Sequence, residues 1–291
     1  MVILLTGKNG QVGFELARTL GSLGTVHAHD RMTLDLANPD ALRAACRTLK
    51  PDLIVNAAAY TAVDKAESEP QLAHAINAHA PGVLAEEAKR LDAVLVHYST
   101  DYVFVGKKRT PYVETDAVNP VNEYGRSKLA GERAIGAVGC KHLIFRTSWV
   151  YGPRGKNFLL TMLALAKTRD EIRVVDDQHG APTTSRFLAE STLHALHAIP
   201  PSGVASGLYH LAASGDATWF EFAHAIFSRI AARLPAKRPT LVAIPTSAYP
   251  TPARRPAFSL LATGRMQATF GFEAPSWESL LSACVNELPV A

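Results

Sequence analysis

The sequence is poor in the features that would place it outside ordinary globular enzymes. It has 3 cysteines in 291 residues, Cys46, Cys140 and Cys284, scattered and without a C-x-x-C pair. That excludes a disulfide scaffold and argues for a reducing compartment. No apolar run reaches the roughly 18 residues that a membrane helix needs. Charge is nearly balanced, with 30 Lys and Arg against 26 Asp and Glu. The sole basic cluster, Lys107-Lys108-Arg109, lies between Gly106 and Pro111 in a segment that reads as a solvated loop. A nucleic-acid partner is therefore not expected. Internal repeats and low-complexity tracts are absent. The opening residues Met1–Gly7 carry neither a basic leader nor a small-residue cleavage site and read as a first strand. Together these absences point to a cytoplasmic location.

What is present is a regular alternation. Val2–Thr6, Thr25–His29, Leu53–Ala58, Val94–Ser99 and Leu143–Thr147 are short β-branched or apolar runs. Between them Gln11–Leu20, Pro39–Leu49, Pro70–Leu91 and Tyr124–Ala137 have helical spacing. Strands separated by helices of that length form parallel β-α-β units, which right-handed crossovers stack into a doubly wound sheet. The expected class is thus α/β with a Rossmann-like parallel sheet over residues 1–150. Beyond residue 150 the alternation weakens. Helical patterns at Phe158–Lys167, Arg186–His197, Trp219–Leu234 and Trp277–Glu287 are joined by Pro- and Gly-rich loops at Ile199–Gly207 and Pro235–Pro256. Short strands at Ile172–Val175 and Leu208–Leu211 interrupt them. Residues 151–291 are expected to form a smaller, mainly substrate-binding lobe that can return segments to the sheet.

The first turn after the first strand reads Gly7-Lys8-Asn9-Gly10-Gln11-Val12-Gly13. Glycines there let the backbone turn sharply and approach a pyrophosphate, which sits on the free N–H groups of the following helix. A glycine loop alone is a weak signal, but Asp30 ends the next strand about 20 residues on. Asp30 suits the ribose 2′-hydroxyl of NAD, whereas Lys8 and Arg31 suit the 2′-phosphate of NADP. The choice between NADH and NADPH stays open. The small side chains of Asn56-Ala57-Ala58-Ala59 leave room for a flat dinucleotide.

Tyr124 and Lys128 stand four residues apart, so on a helix they share one face. Reduction of a carbonyl needs a proton donor at the developing oxyanion. A neighbouring ammonium is expected to draw a phenol toward a useful acidity. Ser99, Thr100 and Asp101 follow the fourth strand, where hydroxyls reach the ligand-binding edge of such a sheet. Cap residues have the same composition. The joint occurrence in this order carries the reading: glycine loop, acidic strand end, strand-four hydroxyl, Tyr-x-x-x-Lys.

These stretches resemble the extended short-chain dehydrogenase/reductases and, within them, the dTDP-4-dehydrorhamnose reductase family. The likeness runs nearly end to end through Asn56–Glu69, His97–Phe104, Tyr124–Glu132, Phe145–Gly152, Asp177–Thr183 and Pro245–Pro256. It implies NADPH- or NADH-dependent reduction of a nucleotide-linked 4-keto sugar. It implies Tyr124 as proton donor, Lys128 as its partner and Thr100 as the hydroxyl that tunes the site. Gly10, Gln11, Val12, Asp30, Asp35, Leu36, Ala59, Tyr60, Thr61 and Tyr98 would line the cofactor. Thr100, Asp101 and Trp149 would touch the sugar, with Trp149 against its ring. Gln178, Pro182 and the Thr251–Pro256 loop would face the nucleotide, and Arg255 would pair with a diphosphate.

Two departures matter. Some members of the family form dimers bridged by Mg²⁺ through glutamates. Glu15 matches one such position, but Arg186 takes another, so no metal site is expected and a homodimer would need other contacts. Phe258 stands where the family often has a polar residue. A dehydratase or epimerase on the same fold is the nearest enzymatic rival, yet Tyr102 occupies the place of the dehydratases' acidic residue after Thr-Asp. A non-catalytic cofactor-binding subunit is the other rival, and the intact Thr100, Tyr124 and Lys128 speak against it.

Overall fold

A computed structural model describes residues 1–199, 206–230 and 239–288. Strands β1 (Val2–Thr6), β2 (Thr25–His29), β3 (Leu53–Asn56), β4 (Val94–Thr100) and β5 (Lys141–Thr147) alternate with α1 (Gln11–Thr19), α2 (Pro39–Leu49), α3 (Val63–Ala66), α4 (Pro70–His74), α5 (Ala80–Leu91) and α6 (Glu123–Val138). The chain continues through β6 (Val150–Tyr151), α7 (Phe158–Ala166), β7 (Glu171–Val175), β8 (His179–Gly180), β9 (Thr183–Thr184) and α8 (Ser185–His197). It ends with β10 (Gly207–His210), β11 (Ala217–Thr218), α9 (Trp219–Arg229), β12 (Thr240–Ile244), α10 (Gly264–Phe270) and α11 (Trp277–Asn286).

The main sheet has six strands in the order β10-β5-β4-β3-β1-β2, all parallel. Its central strands are apolar runs because both faces are covered, as parallel sheets require. One face packs Leu16 and Leu20 near α1 and Phe187 and Leu188 of α8. The other packs Leu42 and Cys46 of α2, Val83 and Leu84 of α5 and Ile135 of α6. All three cysteines are free and buried. The winding reverses between β1 and β3, so their carboxyl ends open a crevice, the usual ligand position in such folds.

The segment Pro70–Leu91 reads as one helix from its pattern. The structure inserts a π-helical turn, Ala75–His79, just before Pro81. Proline lacks the N–H that would bond the carbonyl of Asn77, which accounts for the wider turn.

One strand of the main sheet comes from beyond residue 150. β10 pairs with β5 in parallel, Leu208 opposite Ile144. A second core gathers Leu159 and Met162 of α7, Phe222 and Ile226 of α9, and Trp277 and Leu281 of α11. The Pro235–Pro256 segment, expected as a loop, contains β12, which pairs with β7 in parallel. Five apolar or β-branched residues between proline-rich flanks were enough to make a strand once β7 offered an edge. The expected helix from Trp219 ends at Arg229, and its residues 231–234 lie outside the described residues, as do parts of both expected loops.

Candidate active site

Gly7 follows β1 with φ +80°, a left-handed conformation open to glycine, and a Cβ there would stand 2.8 Å from the Ala58 nitrogen. Gly13 is equally constrained: its Cβ would lie 2.0 Å from the Gly7 oxygen. The loop and the first turn of α1 are thus packed backbone on backbone. No side chain caps α1 and no acidic residue lies in its first turn. Its free N–H groups and dipole are left for an anion, which is what a dinucleotide's pyrophosphate requires.

Beside this loop lies a cavity of about 260 Å³, lined by Gly7, Asp30, Asp35, Leu36 and Ala59–Thr61 among others. Seven residues expected to line a cofactor therefore share one wall. Asp30 is heavily engaged: Oδ1 accepts from Met32 N, Thr33 N and Thr33 Oγ1, each at 3.1 Å. Oδ2 accepts from Asn9 Nδ2 at 3.0 Å and lies 3.5 Å from Lys8 Nζ. The Thr33 hydrogen bonds and Lys8 hold its carboxyl below the usual range against the opposing effect of burial. Tyr60 is positioned by Asn77 in the π turn, which receives its N–H at 2.8 Å and donates to its carbonyl at 3.0 Å. The same amide donates to Ser127 Oγ on α6, so Asn77 ties the cofactor loop to the helix of Tyr124 and Lys128.

Tyr98 differs from expectation. Strand alternation sends its side chain into the core on the α8 side, where its hydroxyl meets Thr192 Oγ1 at 2.6 Å. Its carbonyl oxygen is what faces the site, accepting from Lys128 Nζ at 2.5 Å. Gln11 bonds Val150 O and Asn157 Nδ2, and Val12, in the first turn of α1, packs on the core.

Helix α6 begins on Asn122, whose Oδ1 accepts from Gly125 N and whose Nδ2 donates to Arg254 O. That cap sets Tyr124 in the first turn and Lys128 one turn further, beside β4. Thr100 ends β4 and donates to Asp101 Oδ1 at 3.0 Å. Burial pushes Asp101 up to about 7 and the Tyr124 phenol up to about 12, with the Thr100 hydroxyl opposing in both cases. Burial also lowers Lys128 to about 8, while Glu132 pulls it upward. The expectation that Lys128 acidifies Tyr124 is thus not what dominates here. The ammonium is turned to the Tyr98 carbonyl, and desolvation decides the phenol.

Beneath the pair lies a polar ladder that sequence reasoning missed. Thr6, Asn56 and His97 are opposite one another on β1, β3 and β4. Thr6 Oγ1 donates to Asn56 Oδ1 at 2.7 Å, and Asn56 Nδ2 meets His97 Nδ1 at 3.1 Å. His97 Nε2 lies 3.3 Å from Lys128 Nζ. Burial and the facing Lys128 hold His97 well below its ordinary range, so it is neutral. On the next rung Glu132 holds Arg146 through contacts of 2.9 and 2.7 Å and accepts from Ser99 Oγ.

A larger cavity, about 750 Å³, opens past Tyr102, whose ring stands edge-on to that of Tyr124 at 5.9 Å. Gln178, Thr251 and Arg255 line it, as do Asp64, Phe158 and Trp219. Trp149 and Pro182 stand outside its wall. Arg255 is held by Asp64 through contacts of 2.7 and 2.9 Å, and Asp64 also accepts from Ala253 N.

The sequence family described as the RmlD substrate binding domain matches residues 1–290. The dTDP-4-dehydrorhamnose reductase of Burkholderia thailandensis is 49% identical over 295 residues, covering 99% of each chain. The chain belongs to the dTDP-4-dehydrorhamnose reductase family. Crystal structures of dTDP-4-dehydrorhamnose reductases agree throughout. That of Clostridium acetobutylicum superposes with a TM-score of 0.92 at 37% identity, covering 98% of this chain and 99% of its own. That of Bacillus anthracis, in complex with NADP, does so with 0.91 at 36%, with the same coverage.

Arg186, expected to stand in the way of a metal bridge, pairs with Glu190 and Glu287, each at 2.7 Å. Glu15 lies 3.7 Å from Arg18. Among the described residues no cluster of three or more His, Cys, Asp or Glu is arranged to hold a metal ion. No helix among them is long and apolar enough to cross a membrane.

Proposed function

We propose that this chain reduces the C4 keto group of dTDP-4-dehydro-L-rhamnose to dTDP-L-rhamnose, using NADPH or NADH. The observation that carries it is Tyr124 hydrogen-bonded with Thr100 at the end of β4, with Lys128 one turn along α6 and bonded to Tyr98 of the same strand, in a chain that matches reductases of this name over its whole length. When bound, the reduced nicotinamide supplies the hydride. Gly7, Gly10, Gln11, Val12 and Gly13 receive the pyrophosphate, and Asp30, Asp35, Leu36, Ala59, Tyr60 and Thr61 surround the adenosine end. Tyr98 contributes through its carbonyl.

Tyr124 gives its proton to the oxygen that gains charge at C4. A phenol near 12 is a weak acid toward water, but an alkoxide is a much stronger base, so the transfer runs downhill late in the step. Thr100 shares the developing charge by hydrogen bonding, and the buried Lys128 near 8 restores the phenol's proton. Thr100, Asp101, Trp149, Gln178, Pro182 and Arg255 form the sugar-nucleotide side. In this division residues 1–150 chiefly hold the cofactor and residues 151–291 chiefly the substrate. The reading further includes a cytoplasmic location and a homodimer held without a metal bridge.

Tyr102 disfavours the dehydratase alternative, because an elimination needs a carboxylate where this phenol stands. The test is loss of reduced-nicotinamide absorbance with dTDP-4-dehydro-L-rhamnose. Tyr124→Phe should lower kcat by about 10²-fold or more while leaving the melting temperature near that of the parent. Near-normal turnover by folded Tyr124→Phe would overturn the assignment.

A further inference from the structure

Trp149 follows β5 with φ +47°, a conformation that bulky residues avoid. The surroundings hold it there. On one face of its indole lies Gly180, where a Cβ would stand 2.3 Å from Trp149 Cε2. On the other lies Trp219, its ring 3.5 Å away and within 5° of parallel. Thr183 N donates to the Trp149 carbonyl at 3.2 Å and fixes the turn. Trp149 is thus held between Gly180 and Trp219.

Trp219 is placed differently. It opens α9 directly after the capping residue Thr218, whose hydroxyl and the Glu221 carboxylate close a capping box. Its Nε1 donates to Gln178 Oε1 at 3.3 Å, and Phe158 leans on it at 4.8 Å. Trp219, Phe158 and Gln178 all line the large cavity, alongside the apolar Met162, Leu165 and Ile172. Polar residues line it too: Arg169, Glu171 and Arg173 around Ile172, and Asp64, Tyr102 and Arg255, of which Tyr102 packs on Tyr124. A nucleotide-linked sugar with its reacting carbon near Tyr124 and its diphosphate near Arg255 leaves the apolar, aromatic part for its base.

Resting on the functional reading above, we propose that Trp219 is the aromatic wall against which the nucleobase packs. Trp149, held between Gly180 and Trp219, additionally keeps this wall in place. Stacking of a base on an aromatic ring tolerates replacement by another ring and fails with an aliphatic side chain.

The experiment titrates the full chain with dTDP, following binding by calorimetry and by tryptophan emission. Trp219→Leu should weaken dTDP by about tenfold or more and leave the NADPH dissociation constant unchanged, while Trp219→Phe stays within about threefold of the parent. Quenching of emission by dTDP should persist in Trp149→Phe and largely vanish in Trp219→Phe. Unchanged dTDP affinity in Trp219→Leu, or quenching that follows Trp149 instead, overturns the proposal. If Trp219→Leu fails to fold, the quenching comparison between Trp149→Phe and Trp219→Phe still decides. A parent that turns over the keto-sugar while Trp219→Leu binds dTDP normally defeats this inference alone. A parent that neither binds dTDP nor consumes NADPH defeats the functional reading as well.

Discussion

The side-chain nitrogen of Lys128 stands 3.3 Å from His97 Nε2, at the end of a ladder whose rungs are fixed by the register of three strands. A neutral imidazole and a backbone carbonyl are poor compensation for a buried ammonium. Folding therefore costs stability at this position, and the site keeps the lysine for its chemistry.

That conflict is measurable. The folded protein holds Lys128 near 8, below its ordinary 10.5. The cost of burying the ammonium is therefore in force below pH 8 and fades as pH rises toward the unfolded value. Lys128→Met removes it, worth up to about 3 kcal/mol before lost hydrogen bonds are subtracted. Calorimetry at pH 7 should show a melting temperature equal to or above the parent's, while kcat falls by about 10²-fold or more. A strongly destabilised Lys128→Met would show that the ladder stabilises the fold.

Asp101 gives the opposite profile. Its carboxyl is raised by burial from 3.8 to about 7, so the folded state retains a proton that the unfolded chain releases. Stability from this group is full below about pH 4 and is lost as pH rises through 7, a fall of about 4 kcal/mol at most. Asp101→Asn, which does not titrate, should show a flatter dependence of unfolding free energy between pH 4 and 7. Denaturant titrations of both proteins across that window give the answer, and parallel curves would rule the shift out.

Gly13→Ala places a methyl group 2.0 Å from the Gly7 oxygen, and neither backbone can yield without opening the loop. Destabilisation of about 1–3 kcal/mol is expected, together with NADPH binding weakened by about tenfold or more. Thermal melts with and without NADPH read both effects, and the usual ligand-induced rise in melting temperature should shrink.

Asp64→Ala frees Arg255 and removes an acceptor from Ala253 N. The pair is partly exposed, so its stabilising effect is modest. The larger effect is a looser Thr251–Pro256 loop. Steady-state kinetics should show KM for the sugar nucleotide raised about fivefold with kcat nearly unchanged. A drop in kcat with KM unaltered would place Asp64 in the chemical step.

The first five strands were legible because buried parallel strands are written as apolar runs, and the shared helix of Tyr124 and Lys128 because helical spacing is local. What escaped depended on contacts distant in sequence. Asp64 and Arg255 meet across 191 positions, and nothing near Arg255 announces that its guanidinium already has a carboxylate. The His97 ladder exists only in the sheet's register. β12 hid among prolines, since an isolated TLVAI becomes a strand only when β7 supplies an edge. The Pro81 turn had a visible signal, a proline inside a helical run, that the periodicity overrode. The acidity of Tyr124 was misjudged because a sequence shows neighbours and not solvent.

β10 lends the sheet its outermost rung on the β5 side, and α8 covers α1, although both come from late in the chain. On a ribosome, the first 150 residues emerge with one strand edge bare and one apolar face unshielded. Such a nascent half is sticky until some 60 further residues arrive, so chaperone dependence and aggregation should concentrate in that interval of synthesis. The same debt means that a fragment ending after β5 is a poor candidate for a free-standing cofactor module.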